Sequence, residues 1–277
     1  MDRVRQGLRA AAAAGNALLE RGGGALDAVV AAVRHLEDDP EFGAGFGSAL
    51  TRDGTVETCA SVMDGTKRRA GAVAAAPNLA APVIVARAML ERGEQVVMAG
   101  PGALNFAHEI GLDPVKEGAL VTPHAQAALR DVLAGKATPN DGVGGGVGAV
   151  ARDKGGHFAA AASSGGTIGR RPGVVDDASI PGVGTWADET CAISTSGGEA
   201  LYRIALAHNI ALRVSKGESQ RTATKHALQE LKELFPHALA GAIAVDKNSW
   251  SALQMGPAMP CAWIDDFGPN EAVGFEL

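Results

Sequence analysis

Apolar residues recur at helical spacing in two successive stretches near the start of the chain: Val4, Leu8, Ala11, Ala12, Gly15 and Leu19, then Leu26, Val29, Val30, Val33 and Leu36. Gly22-Gly23-Gly24 separates them. Asp38-Asp39-Pro40 predicts where the second helix stops, because a residue before proline is pushed out of the α region. The apolar-rich runs Gly47–Arg52 and Thr55–Met63 flank Asp53-Gly54 and predict a hairpin. A helix over Ala81–Arg92, a strand over Gln95–Met98 and a helix opening at Pro101 follow, and the polar stretch from Gly111 to Asp141 reads as a loop. Val147–Ala151 and Phe158–Ala162 flank the turn Asp153-Lys154-Gly155-Gly156, the pattern of a tight antiparallel pair. Beyond it Gly182–Ala187 and Cys191–Ser194 read as extended, and Glu199–Val214 and Ser219–Phe235 as helices. Gly241–Asp246 and Trp250–Gln254 form a last hairpin, and Ala272–Leu277 closes an edge. Periodicity by itself says mixed α and β, without a repeat of fixed period.

Composition narrows the picture. A chain of 277 residues, 46% hydrophobic, can bury a sizeable core as one domain; with 37 glycines and 4% aromatics, that core is closely packed alanine, valine and leucine. The net charge is −6, and Lys67-Arg68-Arg69 and Arg170-Arg171 are too short to mark a nucleic-acid surface. Cys59, Cys191 and Cys261 lack Cys-x-x-Cys spacing and read as reduced thiols, and the seven histidines show no metal-ligand spacing. No metal or cofactor is therefore expected. The N-terminal stretch reads as an amphipathic helix rather than a signal peptide. The most apolar later region, Ala70–Leu90, is interrupted by Pro77, Asn78 and Pro82 and makes a poor membrane span. The expectation is a soluble, cytoplasmic protein with no nucleic-acid or membrane partner.

Around the central hairpin the sequence is rich in glycine, with Gly142-Val143-Gly144-Gly145-Gly146 before it and Ser163-Ser164-Gly165-Gly166 after it. The run GVGAVARDKGGHFAAAASSGG resembles the segment that begins the β-subunit of the plant-type asparaginases, isoaspartyl peptidases and glycosylasparaginases. GGGALDAVVAAVRHLEDDPEFGAGFGSALTRDGTVETCASVMDG and the later PGALNFA are similar to that family as well. The resemblance implies an α+β fold, a four-layer αββα sandwich of the N-terminal-nucleophile hydrolases. It also implies a homodimer, with residues 1–145 corresponding to the family's α-subunit and 146–277 to its β-subunit. Family members usually begin with a strand and a His-Gly-Gly-Ala-Gly turn. This chain starts in the helix that follows, so its sheet is expected to be one strand shorter.

In the family the first residue of the run is a threonine that cleaves the chain before itself and then attacks the amide. Here that position is Gly146, which supplies neither hydroxyl nor, in an uncleaved chain, a free amine. Ser164 falls on the family's second active-site threonine. It is a pocket-lining residue, with a strand-end serine satisfying a turn amide as the plainer reading. The family's Gly-Arg-x-Gly-Asp substrate clamp aligns with Gly173-Val174-Val175-Asp176-Asp177. Asp177 keeps the ammonium-binding carboxylate, whereas Val174 has lost the carboxylate-binding arginine. Either Arg170 or Arg171 reaches in, or the ligand carries no carboxylate; the second is preferred. Ser194-Thr195-Ser196-Gly197-Gly198-Glu199 resembles the family's Thr-Gly-x-Gly-Glu turn, one residue shorter, with the register open between Thr195 and Ser196. The Gly197 and Gly198 amides suit an oxyanion, and Ser196 with Glu199 also satisfies a capping box. The family's loop asparagine falls on Gly43.

These departures predict an unprocessed single polypeptide without ordinary asparaginase activity. Three readings follow. The first is an enzyme repurposed to an amine-bearing small molecule through amide hydrolysis, transfer or cyclisation. The second is a pseudoenzyme that binds without turnover. The third is a laboratory threonine-to-glycine variant of an active hydrolase.

Overall fold

The computed structural model describes residues 2–138, 145–256 and 259–272. Two long helices open it, α1 (Asp2–Glu20) and α2 (Ala25–Asp38), each presenting one small-residue face to the other. The second stops at Asp39, whose extended backbone (ψ 115°) precedes Pro40. Strands β1 (Glu57–Asp64) and β2 (Arg69–Pro77) form the first hairpin; α3 (Pro82–Arg92), β3 (Val97–Ala99) and α4 (Gly100–Glu109) follow.

The expected hairpin arm at Gly47–Arg52 is not a strand. Gly45–Gly47 form a single 3-10 turn, and the next residues bond elsewhere: Arg52 N–H donates to the Arg170 carbonyl, and Gly169 N–H to the Leu50 carbonyl. The turn at Asp53-Gly54 does form, closed by Gly54 N–H on the Thr51 carbonyl. The polar stretch after Gly111 is not all loop either, since α5 (Pro123–Leu133) lies within it. Its signal was present: Thr122 caps the Ala125 amide at 3.1 Å, proline takes the first turn, and Ala125 and Leu129 are buried four apart. Pro139 to Gly142, also placed in that loop, and the Val143-Gly144 part of the glycine run lie outside the described residues.

β4 (Val147–Arg152) and β5 (Phe158–Ser164) are the central pair. They complete a five-stranded sheet of order β3-β2-β1-β5-β4, with β4 at the edge. β6 (Thr185–Ala187), β7 (Cys191–Ser196), β8 (Ala240–Asp246) and β9 (Trp250–Met255) form a four-stranded antiparallel sheet. The helix expected over Glu199–Val214 is two, α6 (Glu199–Ile204) and α7 (Leu206–Ser215), because Ala205 is left-handed (φ 48°). That break lets the Ala207 and His208 amides bond the Val183 and Gly182 carbonyls. α8 (Gln220–Leu234) starts at Ser219, whose side chain caps Thr222 N–H. A further pair, β10 (Cys261–Asp265) with β11 (Gly268–Ala272), was not foreseen; most of the edge strand expected over Ala272–Leu277 lies outside the described residues.

The layers stack as helices, sheet, sheet, helices. Val29, Val33, Val62, Val73, Leu90 and Phe106 fill the space under α2, α3 and α4; Ile193, Leu206, Ile210, Leu228 and Leu231 fill it under α7 and α8. Between the sheets lie Met63, Phe158, Ala160, Ala187 and Ala192. A polar seam crosses them too: Ser61 Oγ donates to the Ala178 carbonyl at 2.6 Å and lies 2.8 Å from Thr185 Oγ1. Small residues set the spacing. A Cβ on Gly71 would fall 2.1 Å from the Ala86 carbonyl oxygen of α3. No helix among the described residues is long and apolar enough to cross a membrane, and the Ala70–Leu90 region is divided between β2 and α3.

Candidate functional site

The ends of β5 and β7 meet at a cavity of about 680 Å³. Gly146, Ser164, Asp177, Thr195, Ser196, Gly197 and Gly198 all line it, together with Gly43, Asp176, Ser194 and Glu199. Val174 does not: it sits on the loop before Asp176, its N–H on the Arg171 carbonyl. Its assignment as a substrate contact is therefore corrected.

Gly146 lies just before β4, and a Cβ there would stand 3.0 Å from the Ser163 carbonyl oxygen and 3.7 Å from Ser164 Oγ. The backbone thus places residue 146 beside Ser164 and puts no side chain into the gap. Ser164 is buried, and its Oγ accepts the Gly166 amide at 2.8 Å. This is the strand-end turn expected of it, and it leaves the hydroxyl proton to donate. Gly165 N–H in turn donates to the Gly43 carbonyl, tying the two loops together.

Asp177 is 4% exposed, and its Oδ2 accepts the Gly197 amide at 3.2 Å. Burial, then the neighbouring Asp176 carboxylate, pushes its carboxyl well above the usual carboxylate range, while the Gly197 and Gly198 amides pull it back. The two glycine amides expected to receive an oxyanion are therefore turned toward Asp177. The capping box is also corrected: the residue that starts α6 is Gly198 (φ 77°), without a side-chain cap. Both Thr195 and Ser196 line the cavity, and the strand's alternation gives their side chains different surroundings. Thr195 Oγ1 donates to the Val183 carbonyl at 2.5 Å, whereas Ser196, opposite Gly241 in the β7–β8 ladder, is half-buried.

Arg170 does not reach the cavity. Its Nη1 donates to the Gly165 carbonyl and its Nη2 to the Glu57 carbonyl, so the guanidinium braces the turn after β5. Arg171 is exposed. Sequence reasoning missed Asp176 and Tyr202. Asp176 was legible as a second carboxylate next to Asp177. Tyr202 was not, because only the fold brings its O–H onto the Val175 carbonyl, at 2.7 Å, and burial then raises its pKa, with Asp176 and Asp177 adding to it. No histidine or lysine lines the cavity among the described residues, so none stands beside Ser164 as a base. The cysteines offer no nucleophile: burial first, then the nearby Asp176 carboxylate, raises the Cys59 thiol, and burial pushes Cys191 up to about 12. No group of three or more potential metal ligands occurs among the described residues.

Behind the site, Glu37 of α2 is completely buried. Its Oε1 accepts the Val83 amide at 3.0 Å, while Oε2 and the adjacent Ser163 Oγ do not close a hydrogen bond of ordinary geometry. Burial, eased by Ser163 and the Val83 amide, pushes its pKa up to about 8.

A model of the asparaginase family matches residues 1–267. The isoaspartyl peptidase/L-asparaginase of Danio rerio is 38% identical over 267 residues, covering 90% of this chain and 86% of that protein. The Homo sapiens protein of the same name is 36% identical over 271 residues, covering 96% and 88%. The isoaspartyl peptidase of Escherichia coli K12 is 39% identical over 232 residues, covering 76% and 70%. Matched along nearly its whole length, with its layered architecture and its cavity at the ends of β5 and β7, the chain belongs to the asparaginase family.

Proposed function

We propose that this chain is a repurposed member of the family that remains one polypeptide and acts on an amine-bearing small molecule, by amide hydrolysis, transfer or cyclisation. The observation that carries the reading is the pairing of losses and retentions in one cavity. Residue 146 stands beside Ser164 without a hydroxyl, yet the buried carboxylate of Asp177 is kept. The relatives' names, isoaspartyl peptidase and L-asparaginase, supply the amide chemistry as background. Removing a nucleophile of this kind typically costs several orders of magnitude in rate. Ordinary release of ammonia from asparagine, or of aspartate from isoaspartyl dipeptides, is therefore not expected.

A second reading, binding without turnover, draws support from a specific feature: the Gly197 and Gly198 amides are already engaged by Asp177. Intact-mass spectrometry tests the common part of both readings, with a single species of 28.0 kDa expected and two fragments divided before Gly146 refuting it. Asp177→Ala separates them, since an enzyme loses turnover whereas a structural partner does not lose association. A laboratory threonine-to-glycine variant of a working hydrolase would not also carry Val174 and Gly43. The reading extends to a cytoplasmic homodimer, which size-exclusion chromatography with light scattering would check for assembly.

A further inference from the structure

The charges around the cavity are one-sided. Asp176, Asp177 and Glu199 line it, and all three lie close enough to Tyr202 to act on its hydroxyl electrostatically. Glu41 also lines it but is paired with Arg3 at 3.1 Å. Among the described lining residues there is no lysine, arginine or histidine to meet a carboxylate. Arg170, close to the lining residue Gly166, has both terminal nitrogens committed to backbone carbonyls. The lining also includes hydrocarbon side chains, Leu8, Phe42, Leu239, Met255 and Met259.

A zwitterionic amino acid placed here would find a partner for its ammonium. Its carboxylate would lie among the acidic side chains of Asp176, Asp177 and Glu199, with no cationic side chain among the described lining residues to pair with. We infer that the cavity selects alkyl amines that carry no carboxylate, the ammonium held between Asp176 and Asp177 and the methylene chain laid on the Leu8–Phe42–Met259 wall. Asp176 is then a specificity-determining residue. It doubles the negative charge at the ammonium position and makes an adjacent carboxylate more costly still. This inference rests on the proposed reading of Asp177 as an amine anchor and goes further by excluding the amino-acid substrates themselves.

Matched probes test it without requiring turnover. Putrescine and ornithine differ only by the carboxylate, and asparagine represents the amino-acid amides. Isothermal titration on the full chain should show putrescine binding at least about tenfold more tightly than ornithine or asparagine, a gap of about 1.4 kcal/mol. Asp176→Asn should narrow that gap, with Glu199→Gln on the exposed rim as a second variant should the first fold poorly. Ornithine or asparagine binding as tightly as putrescine would overturn the inference, and so would the absence of putrescine binding. If asparagine binds and Asp177→Ala abolishes it, the amine anchor stands and only the exclusion of carboxylates fails. If none of the three probes binds, both fall.

Discussion

Replacing Glu37 by glutamine offers the most direct physical test of the packing behind the site. Glu37 is buried beneath β5, and its pKa is pushed up from 4.5 to about 8 in the folded protein. A carboxyl whose folded pKa lies above its unfolded value holds its proton longer in the native state. Below about pH 4.5 both states are protonated and the residue adds no pH dependence. Between about 4.5 and 8 the native state binds one more proton than the unfolded state, so stability falls as pH rises, by about 1.4 kcal/mol per pH unit. The accumulated cost is roughly 3 kcal/mol at pH 7 and roughly 5 kcal/mol once pH passes 8, as an order of magnitude. Glutamine keeps the acceptor for the Val83 amide, can donate to Ser163 Oγ, and does not titrate. Urea denaturation of both proteins from pH 5 to 9 should therefore give stabilities that diverge with pH, the variant increasingly the more stable. The comparison between the two proteins matters, because Asp177, also raised, contributes a slope of the same sign in both. Parallel stability curves would refute a buried, proton-retaining Glu37.

Four further outcomes are expected. Gly71→Ala drives a Cβ to within 2.1 Å of the Ala86 carbonyl oxygen, a backbone atom, so α3 must shift; a loss of about 1–3 kcal/mol by urea denaturation is expected, and unchanged stability would refute the contact. Gly146→Thr adds a Cβ at 3.0 Å from the Ser163 carbonyl, tight but tolerable, so the fold should persist; asparagine hydrolysis should stay at background, and brisk ammonia release would show that the nucleophile was the only missing part. Thr195→Val should cost about 1 kcal/mol through the lost bond to Val183, whereas Ser196→Ala should leave stability within about 0.5 kcal/mol and alter ligand affinity instead; the reverse pattern would exchange the two roles. Amine binding should ionise Asp177 and release a proton. The titratable groups that act on it are the neighbouring Asp176 and Tyr202, and heats of putrescine binding that do not vary between buffers of different ionisation enthalpy would contradict the release.

Local pattern was enough for most elements. The helices over Val4–Leu19 and Leu26–Leu36 follow from apolar spacing, and the β4–β5 pair from two short apolar runs around Asp153–Gly156, because those signals concern residues that are near neighbours in the chain. The resemblance to the asparaginases likewise brought Gly146, Ser164, Asp177, Ser196 and the two glycines to one cavity. Errors arose where a distant segment competed for backbone hydrogen bonds. Gly47–Arg52 has the composition of a strand but is claimed by residues 169–170, and Ala205 bends left-handed so that α7 can reach the 182–183 loop. The Ser196–Glu199 pair spells a capping box, yet a buried carboxylate twenty residues earlier takes the Gly197 amide. Electrostatics lay still further out of reach. Whether a carboxyl keeps its proton, or an arginine faces a pocket, depends on what surrounds it in space. Glu37, the Asp176–Asp177 pair and the bracing role of Arg170 therefore became visible only once the layers were stacked.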